Sequence, residues 1–119
     1  MDNLQELGRI AAVRHLEQKG YNIIEPRWEF PNDGLMVVAT ETATDILAFI
    51  NVKTRDCSKR GLPREFPDEE TRDAYEFAAM DYVSEHPLFD DNQTVRFDSI
   101  GIIALGEGAM LRHHVGCLD

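Results

Sequence analysis

The stretch Asp45–Arg55, DILAFINVKTR, decides the fold. It is apolar and β-branched through Val52 and then turns basic, the pattern of a strand buried on at least one face. Side chains at i and i+2 of a strand share a face, so Asn51 and Lys53 are expected to stand side by side near the end of this strand.

Upstream, LMVVAT (residues 35–40) has the same character, and ETAT connects it to the first stretch, so the two strands should be neighbours. Before them, YNIIEPRWEF is a strand that Pro26 confines to an edge or interrupts, and PNDG (Pro31–Gly34) is a turn signal. A meander of three strands follows. From Asn3 to Lys19, Leu4, Leu7, Ala11 and then Val13 or Leu16 recur at helical spacing, with Gly20 placed as the C-cap. Downstream, DCSKRGLPREFP is a polar loop leading to a second helix. Asp68 would be its N-cap, with Glu69 and Glu70 at the positive end of the dipole and His86-Pro87 as its stop. Ala74, Phe77, Ala78 and Tyr82 (or Met80) are the expected apolar stripe, buried on the sheet. VRFDSIGIIAL is a strand, GEG a turn and AMLRHHVGC a shorter closing strand. The expected class is α/β (α+β), with order αβββαββ, a mixed central sheet flanked by helices, and residues 1–119 in a single domain.

The formal charge is −10 over 119 residues. So acidic a chain is repelled from nucleic acid unless its bases gather on one face. Lys53, Arg55, Lys59, Arg60 and Arg64 do cluster after the quoted strand. They are either a solvated loop or a phosphate-binding edge. The second helix is the opposite: between residues 68 and 85, Asp68, Glu69, Glu70, Asp73, Glu76, Asp81 and Glu85 face only Arg72. That segment is either a solvated face or a docking surface for a basic protein partner. No apolar run approaches the ~20 residues of a membrane span. The first residues lack the basic and apolar regions of a signal peptide, so a cytoplasmic protein is expected. Cys57 and Cys117 form no CxxC and read as free thiols.

The ordered set LGRIAAVRHLEQKGYNII, DGLMVVAT, FINVKTR, RGLPRE, VRFDSIGI and LRHHV resembles the YraN-like family almost end to end. That family belongs to the restriction-endonuclease-like PD-(D/E)XK superfamily and is described as Holliday-junction-resolvase-like. The resemblance implies a restriction-endonuclease-like three-layer fold. It also implies a site in which a strand Asp and the Glu of a Glu-x-Lys hold Mg²⁺ or Mn²⁺ while the Lys polarises water or phosphate. Carried over by position, the strand Asp falls on Met36, the Glu falls on Asn51, and Lys53 is retained. The acid of the first helix falls on Arg9, and a second-helix lysine falls near Thr71.

A thioether and an amide cannot replace two carboxylates on a hard cation that demands oxygen ligands. The resemblance therefore implies a degenerate site at Met36, Asn51 and Lys53, with no cofactor expected, and Mg or Mn only if Asp33, Asp45 or Asp98 rebuilds the site. Glu29 and Glu41 lie near strand ends as well. Asp98 beside Arg96 reads as a structural hydrogen-bonding group. His113 and His114 point to opposite strand faces and make a poor ligand pair, His15 and His86 read as surface residues, and Met80, Met110 and Cys117 read as packing. The leading expectation is a nuclease-like interaction module without catalysis. The alternatives are a metal-dependent DNA endonuclease with a rebuilt site and a nucleic-acid-binding module; a homo-oligomer is left open.

Overall fold

A computed structural model describes residues 3–30, 34–56, 69–90, 92–105 and 108–116. The elements are α1 (Asn3–Gln18), β1 (Tyr21–Phe30), β2 (Gly34–Glu41), β3 (Leu47–Asp56), α2 (Glu69–Glu85), β4 (Val95–Leu105) and β5 (Gly108–His114). This is the expected order αβββαββ. The sheet runs β1-β2-β3-β4-β5. Every pairing is antiparallel except β3 with β4, which is parallel and bridged by the α2 crossover.

β3 is central and apolar on both faces because both are covered. Ala48, Ile50 and Val52 face α1, packing with Ala12, Leu16, Val37 and Ile100. Leu47 and Phe49 face α2, packing with Val38 and Ala79. The result is a three-layer arrangement with α1 and α2 on opposite faces of the sheet. Phe49 is fully buried and touches Trp28, Tyr82 and Phe97 with ring centroids 5.3, 5.6 and 5.7 Å apart. Such aromatic pairs contribute about 0.5–1.5 kcal/mol each beyond their area burial.

The local signals hold at several places. β1 is an edge strand, and its register with β2 shifts between Glu25 and Trp28, around Pro26, which has no N–H to give to a ladder. Gly20 ends α1 with φ of 90°. α1 lies close to β3 at Gly8, where an added Cβ would fall 1.7 Å from the Thr54 hydroxyl. Among the described residues, no helix is long and apolar enough to cross a membrane.

The α2 stripe is displaced from expectation. Tyr75 and Ala79 are buried, whereas Ala74 is exposed, Ala78 only half-buried, and Phe77 and Met80 are 77% and 72% exposed. The periodicity of Ala74, Phe77 and Ala78 is real. Of the expected stripe Tyr82 does pack on the sheet, against Phe49, and Tyr75 and Ala79, at the same helical period, pack there in place of Ala74 and Phe77, with Tyr75 stacked on Phe97. Met110 is likewise 57% exposed on β5 rather than packed.

Candidate functional site

Alternation along β3 puts Asn51 and Lys53 on the α2 face, with Leu47 and Phe49. Met36 is the direct cross-strand partner of Asn51, so the three positions are contiguous. Ser99 flanks Asn51 on the parallel strand β4. The position is closed from above by α2. Tyr75 accepts a 2.7 Å hydrogen bond from Asn51 Nδ2, packs with Met36 among Trp28, Ala78 and Phe97, and stacks on Phe97 at 6.1 Å and 19°. Met36 and Tyr75 are 1% and 2% exposed, while Lys53 is half-buried beside them.

Among the described residues, the acids considered as replacements, Glu41, Asp45 and Asp98, do not gather there. Glu41 and Asp45 lie at the opposite end of the sheet, around the start of β3, and Asp98 faces α1. Arg9 sits on α1, bound to Glu6 and to the Pro26 carbonyl. Among the described residues, no group of three or more His, Cys, Asp or Glu side chains is placed to hold a metal ion. Asp33, Cys57, Lys59, Arg60, Arg64, Asp68 and Cys117 fall outside the described residues, as do the side chains of Glu29, Arg55, Thr71 and Arg72.

The polar centre that the strands do assemble is on the other face. Asp98, whose side chain is fully buried, accepts from Arg96 Nε at 2.8 Å and Nη2 at 3.0 Å, from the Gly116 N–H at 3.0 Å, and pairs with His113 Nε2 at 2.9 Å. Arg96 also donates to the Tyr21 hydroxyl at 2.5 Å and reaches Glu41 at 3.5 Å. Burial alone would push the Asp98 carboxyl up; the His113, Arg96 and Gly116 hydrogen bonds more than offset it and hold the group below its ordinary value. The hydrogen bond to Asp98 raises Arg96 against the opposing effect of burial. Burial, with the Asp98 charge, raises Tyr21. The reading of Asp98 as a structural hydrogen-bonding group is borne out.

His15 and His86 are half-buried and in contact with other rings rather than fully exposed. His15 Nε2 lies 3.3 Å from His113 Nδ1, and its pKa is lowered first by burial and then by His113 and Lys19. His86 stacks on Tyr82 at 5.2 Å. Sequence reasoning missed both contacts and Tyr75. Only the Tyr75–Ala79–Tyr82–His86 spacing could have signalled any of them.

A third feature is a groove of about 560 Å³ between α2 and β4, lined by Ala79, Met80, Val83, Val95 and Phe97, with Glu76 at its side.

The uncharacterised protein family UPF0102 matches residues 9–102. The chain belongs to this family. It is similar to a UPF0102 protein of Flavobacterium johnsoniae, 29% identical over 94% of this chain and 90% of that one. UPF0102 proteins of Chlorobium phaeobacteroides and Chlorobaculum tepidum are 33% and 34% identical, over 86% and 82% of this chain and 78% and 73% of theirs. No solved structure matches. The YraN-like resemblance of the ordered motifs thus stands at the level of the UPF0102 family, which carries no assigned activity.

Proposed function

We propose that this UPF0102 chain is an interaction module on a nuclease-like scaffold whose ancestral metal position has become part of the core. The observation that carries the reading is Tyr75. Its ring packs against Met36 and is bonded to Asn51, which supports the reading because a hydrated cation and a phosphodiester held at those positions would need that space. Opening it exposes buried apolar surface, at roughly 25 cal/mol per Å². The partner class follows from α2, where Asp73, Glu76, Asp81 and Glu85 are exposed and Glu76 lines the apolar groove. This combination suits a cationic polypeptide segment carrying apolar side chains, and it repels DNA.

The test has an arm for each half of the reading. Branched and duplex DNA incubated with the protein and Mg²⁺ or Mn²⁺ should remain intact. Metal-dependent cleavage abolished by Lys53→Ala would restore the endonuclease. In fluorescence anisotropy, cationic amphipathic peptides should bind in a salt-sensitive manner, and Glu76→Lys, at an exposed residue lining the groove, should weaken them. DNA binding in preference to these peptides would favour a nucleic-acid module using Lys53 and the basic run after it.

A further inference from the structure

The geometry points to a transition-metal site between His15, in the last turn of α1, and His113, on β5, distinct from the Met36–Asn51–Lys53 position and on the other face of the sheet. The ring nitrogens His15 Nε2 and His113 Nδ1 face each other at 3.3 Å, and the ring centroids are 5.3 Å apart. Two imidazoles bound to one ion at 2.0–2.1 Å and the tetrahedral angle hold their nitrogens ~3.3 Å and their centroids roughly 5.2 Å apart. The rings are therefore already spaced as a chelating pair.

The remainder of the network orients that pair. The other ring nitrogen of His113, Nε2, is engaged by the Asp98 carboxylate at 2.9 Å, and Asp98 is itself fixed by Arg96 and the Gly116 N–H. With its proton on Nε2, His113 presents the Nδ1 lone pair toward His15, whose Nε2–H donates to it in the metal-free protein. On metal binding His15 carries its proton on Nδ1 instead, by exchange with water, and Nε2 becomes the second ligand. A carboxylate behind a ligating imidazole sets its tautomer and raises its basicity in known metal sites. Both histidines are half-buried and reachable from solvent.

The donor set names the ion class. Two imidazoles suit Zn²⁺, Ni²⁺ or Cu²⁺ and not the hard cations Mg²⁺ or Mn²⁺. Among the described residues no third ligating side chain joins the pair. The protein supplies two bonds, and water or a small anion takes the other positions. Such an ion would tie the end of α1 to the β5 edge strand.

Calorimetric titration of the whole chain with Zn²⁺ and with Ni²⁺ should show one equivalent bound, accompanied by a rise in Tm, and Mg²⁺ should do neither. His15→Gln should abolish the site while leaving Cys57 and Cys117 in place, so binding that persists in this variant belongs elsewhere and overturns the assignment. Imidazole ¹⁵N spectra of the unaltered protein give a second readout independent of folding. Zn²⁺ should shift His15 Nε2 and His113 Nδ1 and leave His86 and His114 unmoved. Shifts confined to His86 or His114, or no saturable binding, would refute the site.

Discussion

The hydroxyl of Tyr75 lies 2.7 Å from the side-chain nitrogen of Asn51, so an aromatic ring of α2 closes the strand position where the resemblance would put a metal ligand. Tyr75→Phe removes that hydrogen-bond acceptor while keeping the ring, and should destabilise the fold by about 1–3 kcal/mol. Tyr75→Ala also leaves a cavity over Met36 and should lose about 3–5 kcal/mol. Urea titrations of the two variants measure the difference; equal losses would mean that the ring contributes nothing beyond the hydrogen bond.

Gly8 lets α1 lie on β3 at Thr54. In an exposed helix Gly→Ala stabilises by about 1 kcal/mol; here the overlap with the Thr54 side chain should reverse the sign, to a loss of about 1–3 kcal/mol. Adding Thr54→Ala removes the hydroxyl and should recover part of that loss, which a double-mutant cycle by thermal melting would detect.

Asp98 controls the acid limb of stability. Its folded pKa is held below the ordinary 3.8, so the unfolded chain takes up this proton first. The stabilisation is fully present above pH 3.8 and disappears as pH falls through the lower folded value. Asp98→Asn should cost about 3–5 kcal/mol at pH 7, since it leaves Arg96 facing an uncharged group. Its Tm should then fall less steeply than that of the parent below pH ~4.

On α2, Phe77→Asp should change stability by less than about 0.5 kcal/mol because the ring already stands in solvent. Ala79→Asp, on the buried face, should be severely destabilising, since it introduces an unpaired charge against Phe49 and Val38. Comparing the two melting curves checks which stripe faces the sheet.

These cases mark what was legible in the sequence. The pairing of β2 with β3, the edge position of β1 and the end of α2 before His86-Pro87 could all be read, because each follows from local chemistry: β-branched runs, a proline without an N–H, a stop signal. The α2 face could not, since two stripes one residue apart share the helical period and only the shape of the sheet beneath chooses between them. For the candidate site, the co-facial placement of Asn51 and Lys53 and the Arg96–Asp98 pair were legible from i, i+2 spacing. The covering of Asn51 by Tyr75 and the approach of His15 to His113, which are 98 positions apart, leave no local trace.

The final prediction separates a decayed nuclease site from a core that never held one. Met36 and Asn51 are direct cross-strand partners, so Met36→Asp with Asn51→Glu sets two carboxylates on adjacent strands with Cβ atoms about 4.5–5.5 Å apart. Tyr75 would still occupy the space above them, so the two changes alone should yield no metal site, and the third change, Tyr75→Ala, is required. The apo triple variant will be less stable, because like charges brought together raise one another's pKa and the ring is lost. Its Tm should nevertheless rise with Mn²⁺, which binds the folded state alone, while the parent and the double variant should not respond. Mn²⁺ is the suitable probe because it takes hard oxygen ligands and is a poor match for the His15–His113 pair. A folded triple variant without an Mn²⁺-dependent shift would show that Met36 and Asn51 do not occupy the carboxylate positions of a nuclease. A shift in the double variant would show that Tyr75 does not close the site.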